Sequence, residues 1–171
     1  MERVKGVILR GQRGEKVPGA ETMKALSRSL IGTLAQIHQI DRGSAGLEDW
    51  GRPEGYVGRQ VEGWSRRYKK ASTEDLASIN KVMDWLAENQ PAEVGVSIIH
   101  NDYKYDNLLL DSADLPSIVA VLDWEMATVG DPLMDLGTSL GYWIETADGK
   151  MMSGIPAGPT MAPGNLTRLE L

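Results

Sequence analysis

Residues 98–110 read IIHNDYKYDNLLL, and residues 120–125 read AVLDWE. His100 and Asp102 lie two positions apart, and Asn107 follows Asp102 by five. Between the two stretches sits Asp111 to Pro116, a turn of hairpin length. It is flanked by the apolar runs Leu108–Leu110 and Ile118–Leu122, which read as two short strands. A hairpin brings the chain back to where it started. Asp123, at the end of the second strand, therefore returns beside the loop that carries Asp102 and Asn107. One carboxylate able to take a proton then shares a cleft with an amide and a second carboxylate able to hold a hard divalent cation.

Outward from this segment, Val94 to Ile99 reads as a short buried strand. After Asp131 and Pro132 a final helix is predicted from Leu133 to about Ile144, with Asp131 and Asp135 capping and bracing it. Gly137 and Gly141 on that helix would allow close packing. Upstream, Met23, Leu26, Leu30, Leu34 and Ile37 recur at three- and four-residue steps, so one apolar stripe is predicted on a helix opened by Glu21 or Thr22. His38 at its end reads as a capping or surface histidine. Tyr56, Gln60, Trp64 and Tyr68 form a second stripe, read as packing surface rather than a substrate box. A third helix, capped by Ser72 or Thr73 and ended by Pro91, places Leu76, Ile79, Val82, Met83 and Leu86 on one face. Val4 to Leu9 reads as a weak strand and Gly11 to Pro18 as a loop. Thr146 to Leu171, rich in Gly, Pro and Met, reads as a loosely ordered tail, which leaves residues 1–145 as the folded unit.

Composition bounds the function. The 171 residues carry a net charge of -6, from 18 basic and 24 acidic side chains, which argues against a nucleic-acid binder. There is no cysteine, so disulfides, thiolate zinc sites and cysteine nucleophiles are excluded. Two distant histidines make a histidine metal site a poor reading. No apolar run approaches a membrane span or a secretion signal, and a cytoplasmic location is the default expectation. The basic run Arg66, Arg67, Lys69 and Lys70 falls at a helix C-terminus, where cations are favoured by the helix dipole.

The pattern His100-x-Asp102 with Asn107 and then Asp123 has the spacing of a kinase catalytic loop followed by a metal-binding aspartate. The segment resembles the aminoglycoside phosphotransferase (choline kinase-like) family, and within it the branch associated with acyl-CoA dehydrogenases. That branch has a loop like His-Gly-Asp-Tyr-x-x-Asp-Asn, continued by Leu-Asp-Trp-Glu and Gly-Asp-Pro. This chain has Asn101 where glycine is usual and otherwise fits. The likeness extends to Leu34–Asp41, to Gly51–Gln60 with Trp64 and Tyr68, and to Met1–Gly11, which is similar to the strand linking two lobes.

The resemblance implies an α+β, protein-kinase-like fold, here a mainly helical C-terminal lobe with a catalytic β-hairpin. It implies transfer of the γ-phosphoryl group of ATP to a hydroxyl (or amine) of a small molecule, with Mg2+. By position, Asp102 is the catalytic base and Asn107 and Asp123 are the metal ligands. Glu125 lies near the cofactor, His100 braces the loop, and Lys104 stands where protein kinases often place a lysine that meets the transferring phosphate. The branch suggests a hydroxyacyl acceptor and an acyl-CoA dehydrogenase partner. No phosphate-covering loop or strand lysine of an N-terminal lobe is found, since Gly6, Gly11 and Gly14 lack the expected spacing. A truncated chain is the expectation. The alternative function is then a catalytically impaired, pseudo-kinase binding module. A protein kinase proper would show Asp-Phe-Gly in place of Asp123-Trp124-Glu125, so that reading ranks low.

Overall fold

The computed structural model describes residues 3–10, 17–148 and 158–171. Residues 11–16, which hold most of the expected Gly-rich loop, and residues 149–157 of the expected tail lie outside the described residues. The chain is α+β. The described residues hold four α-helices, α1 (Ala20–His38), α2 (Tyr56–Ala71), α3 (Ala77–Glu88) and α4 (Pro132–Gly141), and two small antiparallel sheets.

The strands are β1 (Ser97–Ile99), β2 (Leu108–Leu110), β3 (Ile118–Val121) and β4 (Thr128–Gly130). β2 and β3 form the hairpin, with Leu108 opposite Val121 and an irregularity between Leu109 and Leu110. β1 pairs with β4, Ser97 opposite Gly130 and Ile99 opposite Thr128. The two pairs are nested along the chain: the hairpin is inserted between the strands of the outer pair. Every residue between Ile99 and Thr128 is therefore held at one end of β1–β4.

The stripe on α1 is buried as its periodicity predicts. Met23, Leu26, Leu30, Leu34 and Ile37 pack with Ile98, Tyr103, Tyr105, Leu108, Leu110 and Trp143 in one core. Burying each such aliphatic side chain is worth roughly 1.5–3 kcal/mol, so α1 is the platform on which the hairpin and its loop rest. Val7 adds a single bridge on the free edge of β2, exchanging two backbone hydrogen bonds with Leu110 at 2.9 and 2.8 Å. The Val4–Leu9 run is thus a contact rather than a strand.

Several expected boundaries move. α1 opens at Ala20 behind an extended Gly19 with no side-chain cap, not at Glu21 or Thr22. α3 opens at Ala77 behind Leu76, because the Ser72 hydroxyl donates to the Glu74 carbonyl and closes a separate turn. Of its predicted face only Met83 is buried. The expected strand from Val94 shrinks to Ser97–Ile99: the Val94 N–H donates to the Asp131 carboxylate at 2.7 Å instead of to a ladder. α4 ends at Gly141, so Trp143 and Ile144 are buried beyond it, and a Cβ on Gly137 or Gly141 would meet nothing within 4 Å. Those glycines do not serve close packing.

The last described segment, 158–171, is docked rather than loose. Asn165 accepts from Tyr105 Oη at 2.7 Å, and the Trp143 indole donates to the Leu166 carbonyl at 2.9 Å. Gly164, at φ +97°, lies directly on the first turn of α1, where a side chain would collide with the backbone of Ala20. Among the described residues no helix is long and apolar enough to cross a membrane.

Candidate active site

The loop leaving β1 is fixed by His100, which is completely buried. Its Nε2 lies 2.8 Å from the Leu122 carbonyl oxygen, and its Nδ1 lies 3.3 Å from the Asp102 amide nitrogen. One ring nitrogen must donate and the other accept, which defines a neutral imidazole protonated at Nε2. The ring packs on Trp124, centroids 4.8 Å apart, and edge-on to Tyr103 at 5.9 Å. His100 ties the backbone of Asp102 to the residue just before Asp123.

Asn101 adopts φ +64°, the left-handed region that glycine enters freely and asparagine tolerates. This accounts for the glycine usual at that position. The Asn101 side chain accepts from Tyr56 Oη at 3.2 Å and donates to the Met126 carbonyl at 3.0 Å. Tyr56 reaches it because Gly130 admits the tyrosine ring; a Cβ there would stand 2.8 Å from the ring.

Beyond Asn101, Asp102 receives Lys104 Nζ on both carboxylate oxygens at 2.8 Å. The Asn107 amide nitrogen donates to Asp102 Oδ2 at 3.0 Å and to its backbone carbonyl at 2.8 Å. Tyr142 adds its hydroxyl to Asp102, and its ring lies 4.5 Å from Lys104 Nζ. Partial burial raises the Asp102 pKa, but the Lys104, Tyr142 and Asn107 hydrogen bonds and the Lys104 charge outweigh it and hold the carboxyl below its ordinary value. Burial likewise opposes the charge on Lys104, and the Asp102 carboxylate more than restores it. Asp102 is thus ionised at neutral pH, as a proton acceptor must be.

The open end of the hairpin holds the other two residues. The Leu122 N–H donates to the Asn107 carbonyl at 2.8 Å, so Asn107 and Asp123 flank the same backbone pairing. Asp123 is exposed and sits at φ +66°, the second non-glycine in the left-handed region, and a short 3-10 turn (Trp124–Met126) follows it. Such conformations cluster at functional sites. Since the Asn107 nitrogen is engaged by Asp102, a cation would meet Asn107 through Oδ1. An amide oxygen and an exposed carboxylate are hard oxygen donors of the kind Mg2+ takes alongside phosphate oxygens. Among the described residues no group of three or more His, Cys, Asp or Glu is placed to hold a metal ion. Glu125 is exposed on the 3-10 turn.

The structure thus gathers His100, Asp102, Lys104, Asn107 and Asp123, and it adds Tyr142, His38 and Asp135. Asp135 is fully buried. Its Oδ2 accepts from the His100 N–H at 2.8 Å and its Oδ1 from the Asn101 N–H at 2.8 Å. It braces the loop as much as its own helix, whose capping falls to Asp131, accepting from the Leu133 N–H at 2.8 Å. His38 is not a surface histidine: its Nε2 lies 2.9 Å from Asp135 Oδ2. Tyr142 carried no signal, because its approach to Asp102 depends on where α4 stops. The second stripe divides: Tyr56 is buried, while Trp64 is 56% exposed and lines, with Tyr68, Met83 and Leu86, an apolar groove of about 440 Å3 between α2 and α3.

A mainly helical lobe whose hairpin presents this set at one end is a kinase-like phosphotransferase fold. The chain superposes with a TM-score of 0.74 and 36% identity on a Ralstonia eutropha protein assigned as an aminoglycoside phosphotransferase, over 84% of this chain and 44% of that one. It superposes with a TM-score of 0.62 and 18% identity on a macrolide 2'-phosphotransferase type I, over 98% of this chain and 56% of that one. Residues 1–169 match the phosphotransferase enzyme family (APH), and the chain belongs to that family. Acyl-CoA dehydrogenase family member 11 of Gallus gallus is 38% identical over 146 residues, which are 84% of this chain and 18% of that protein. The chain spans less than a fifth of the length of such relatives.

Proposed function

We propose that the chain transfers the γ-phosphoryl group of ATP to a hydroxyl (or amine) of a small molecule. The observation that carries this reading is the joint held by His100, which links the Asp102 amide to the Leu122 carbonyl and so sets base and cation ligand side by side. Asp102 accepts the proton of the acceptor hydroxyl. A bond forms between that oxygen and the γ-phosphorus, the bond to the β,γ-bridging oxygen breaks, and ADP leaves. Asn107 and Asp123 would hold Mg2+, which supplies charge neutralisation on the phosphates when bound. Catalysis by such a set is mostly positioning and electrostatics. Membership of the family supports phosphotransfer. The similarity to acyl-CoA dehydrogenase family members is the ground for proposing a hydroxyacyl acceptor and a dehydrogenase partner.

Calorimetric titration of the chain with Mg-ATP tests the reading. Magnesium-dependent binding that Asp123→Ala abolishes is expected, followed by turnover in a screen of hydroxylated acceptors. Ordinary turnover by Asp123→Ala would overturn it. The second reading, a pseudo-kinase binding module, is favoured by one feature: Lys104 occupies both oxygens of Asp102. Its signature is nucleotide binding without turnover for every acceptor.

A further inference from the structure

We propose that Asn165 is a positioning residue for the loop between Asp102 and Asn107, acting through Tyr105. Tyr105 stands between Lys104 and Asn107 and opens the 3-10 turn Tyr105–Asn107. Its side chain is buried in the core, so its hydroxyl needs a partner there. Asn165 Oδ1 accepts from that hydroxyl at 2.7 Å, 60 residues further along the chain.

The hydrogen bonds around the Asn165 amide fix its orientation. Its nitrogen donates to the carbonyls of Pro159 and Ala162, at 2.9 and 3.0 Å. Its oxygen is therefore turned toward the hydroxyls of Tyr105 and Ser27. The Ser27 hydroxyl has one proton, and the Met23 carbonyl at 2.6 Å takes it in preference to Asn165 Oδ1 at 3.4 Å. Tyr105 is the principal donor to Oδ1.

The segment that carries Asn165 is anchored on two sides. The Leu166 N–H donates to Ser27 Oγ on α1 at 3.2 Å. Beyond α4, the Trp143 indole donates to the Leu166 carbonyl at 2.9 Å, and the Ile144 N–H donates to Thr160 Oγ1 at 3.2 Å. Trp143 also packs on Tyr105, ring centroids 5.3 Å apart. Residues 158–166 thus form a strap, and Asn165 is where the strap grips the loop. The bonds of the loop itself run past Tyr105: the Asn107 N–H donates to the Lys104 carbonyl at 3.0 Å, and the Leu108 N–H to the Tyr105 carbonyl. A displaced Tyr105 would carry with it the ammonium that pairs with Asp102 and the Asn107 amide.

Amide hydrogen exchange on the full chain, without nucleotide or acceptor, tests the grip. Tyr105→Phe, which removes only the hydroxyl, is expected to speed exchange of the Asn107 and Leu108 amides about tenfold while α1 keeps its protection. Asn165→Leu is expected to speed the same amides. The double variant is expected to exchange no faster than Asn165→Leu alone, since both changes delete one bond. Unchanged loop amides in Tyr105→Phe overturn the proposal. So do effects that multiply in the double variant, or loss of protection throughout the chain. If the leucine chain does not fold, Asn165→Ala takes its place under the same expectations.

A turnover arm, which rests on the phosphotransfer reading, expects kcat to fall about tenfold in Tyr105→Phe, with no loss in the double variant beyond that of Asn165→Leu. Unchanged kcat in a variant whose loop amides exchange faster overturns the positioning role. A parent chain that transfers no phosphate counts against the phosphotransfer reading alone, since the exchange arm needs no activity.

Discussion

His100 Nε2 donates to the carbonyl oxygen of Leu122, 22 residues away along the chain, at 2.8 Å. The bond closes the path between β1 and the end of the hairpin, and the ring's other nitrogen holds the amide of Asp102. His100→Ala leaves a carbonyl and an amide without partners and opens a void against Tyr103 and Trp124. A loss of about 2–4 kcal/mol is expected by denaturant titration, together with loss of Asp102-dependent turnover.

Asp102→Asn preserves shape but cannot accept the acceptor's proton and cannot pair with Lys104. Turnover is expected to fall by about 10²–10⁴. Binding of Mg-ATP, measured by calorimetry, is expected to stay near the parent value, because the oxygens of Asn107 and Asp123 are untouched.

Tyr142→Phe deletes the hydroxyl, one of the three side-chain groups with Lys104 and Asn107 that lower the Asp102 pKa. The acid limb of the pH dependence of kcat/KM is expected to move upward in the variant. An unshifted limb would show that Lys104 and Asn107 suffice.

The Lys104–Asp102 pair gives stability a definite pH window. The Asp102 pKa is lowered from 3.8 in the folded state, so its contribution is present above that value and disappears as pH falls through the folded pKa. The Lys104 pKa is raised from 10.5, so its contribution is present below that value and disappears as pH rises through the folded pKa. Lys104→Met is expected to flatten both limbs of a melting-temperature profile. Unaltered limbs would count against the pair.

Asn101 tests the backbone. Alanine enters the left-handed region at a cost of about 1–2 kcal/mol, whereas glycine enters it freely. Both substitutions remove the contacts to Tyr56 and Met126. Asn101→Ala is therefore expected to be less stable than Asn101→Gly by about that amount, measured by chemical denaturation.

The sequence by itself determined the buried stripe of α1, the hairpin and the grouping of Asp102, Asn107 and Asp123, because each rests on spacing along a short stretch. The stripe needs only the helical period, and the grouping needs only that a hairpin returns to its origin. Boundaries set by competition were not legible. Val94 gave its N–H to Asp131 rather than to a strand, and Ser72 closed a turn rather than capping α3. Only the tertiary structure decided that His38 meets Asp135 across 97 residues, that the Tyr142 ring lies against Lys104 from the end of α4, and that Leu166 docks against Trp143. Such contacts depend on how separately formed elements pack. A buried carboxylate finds its donors in whatever the packing brings within reach, and no local pattern in the chain encodes which donors those are.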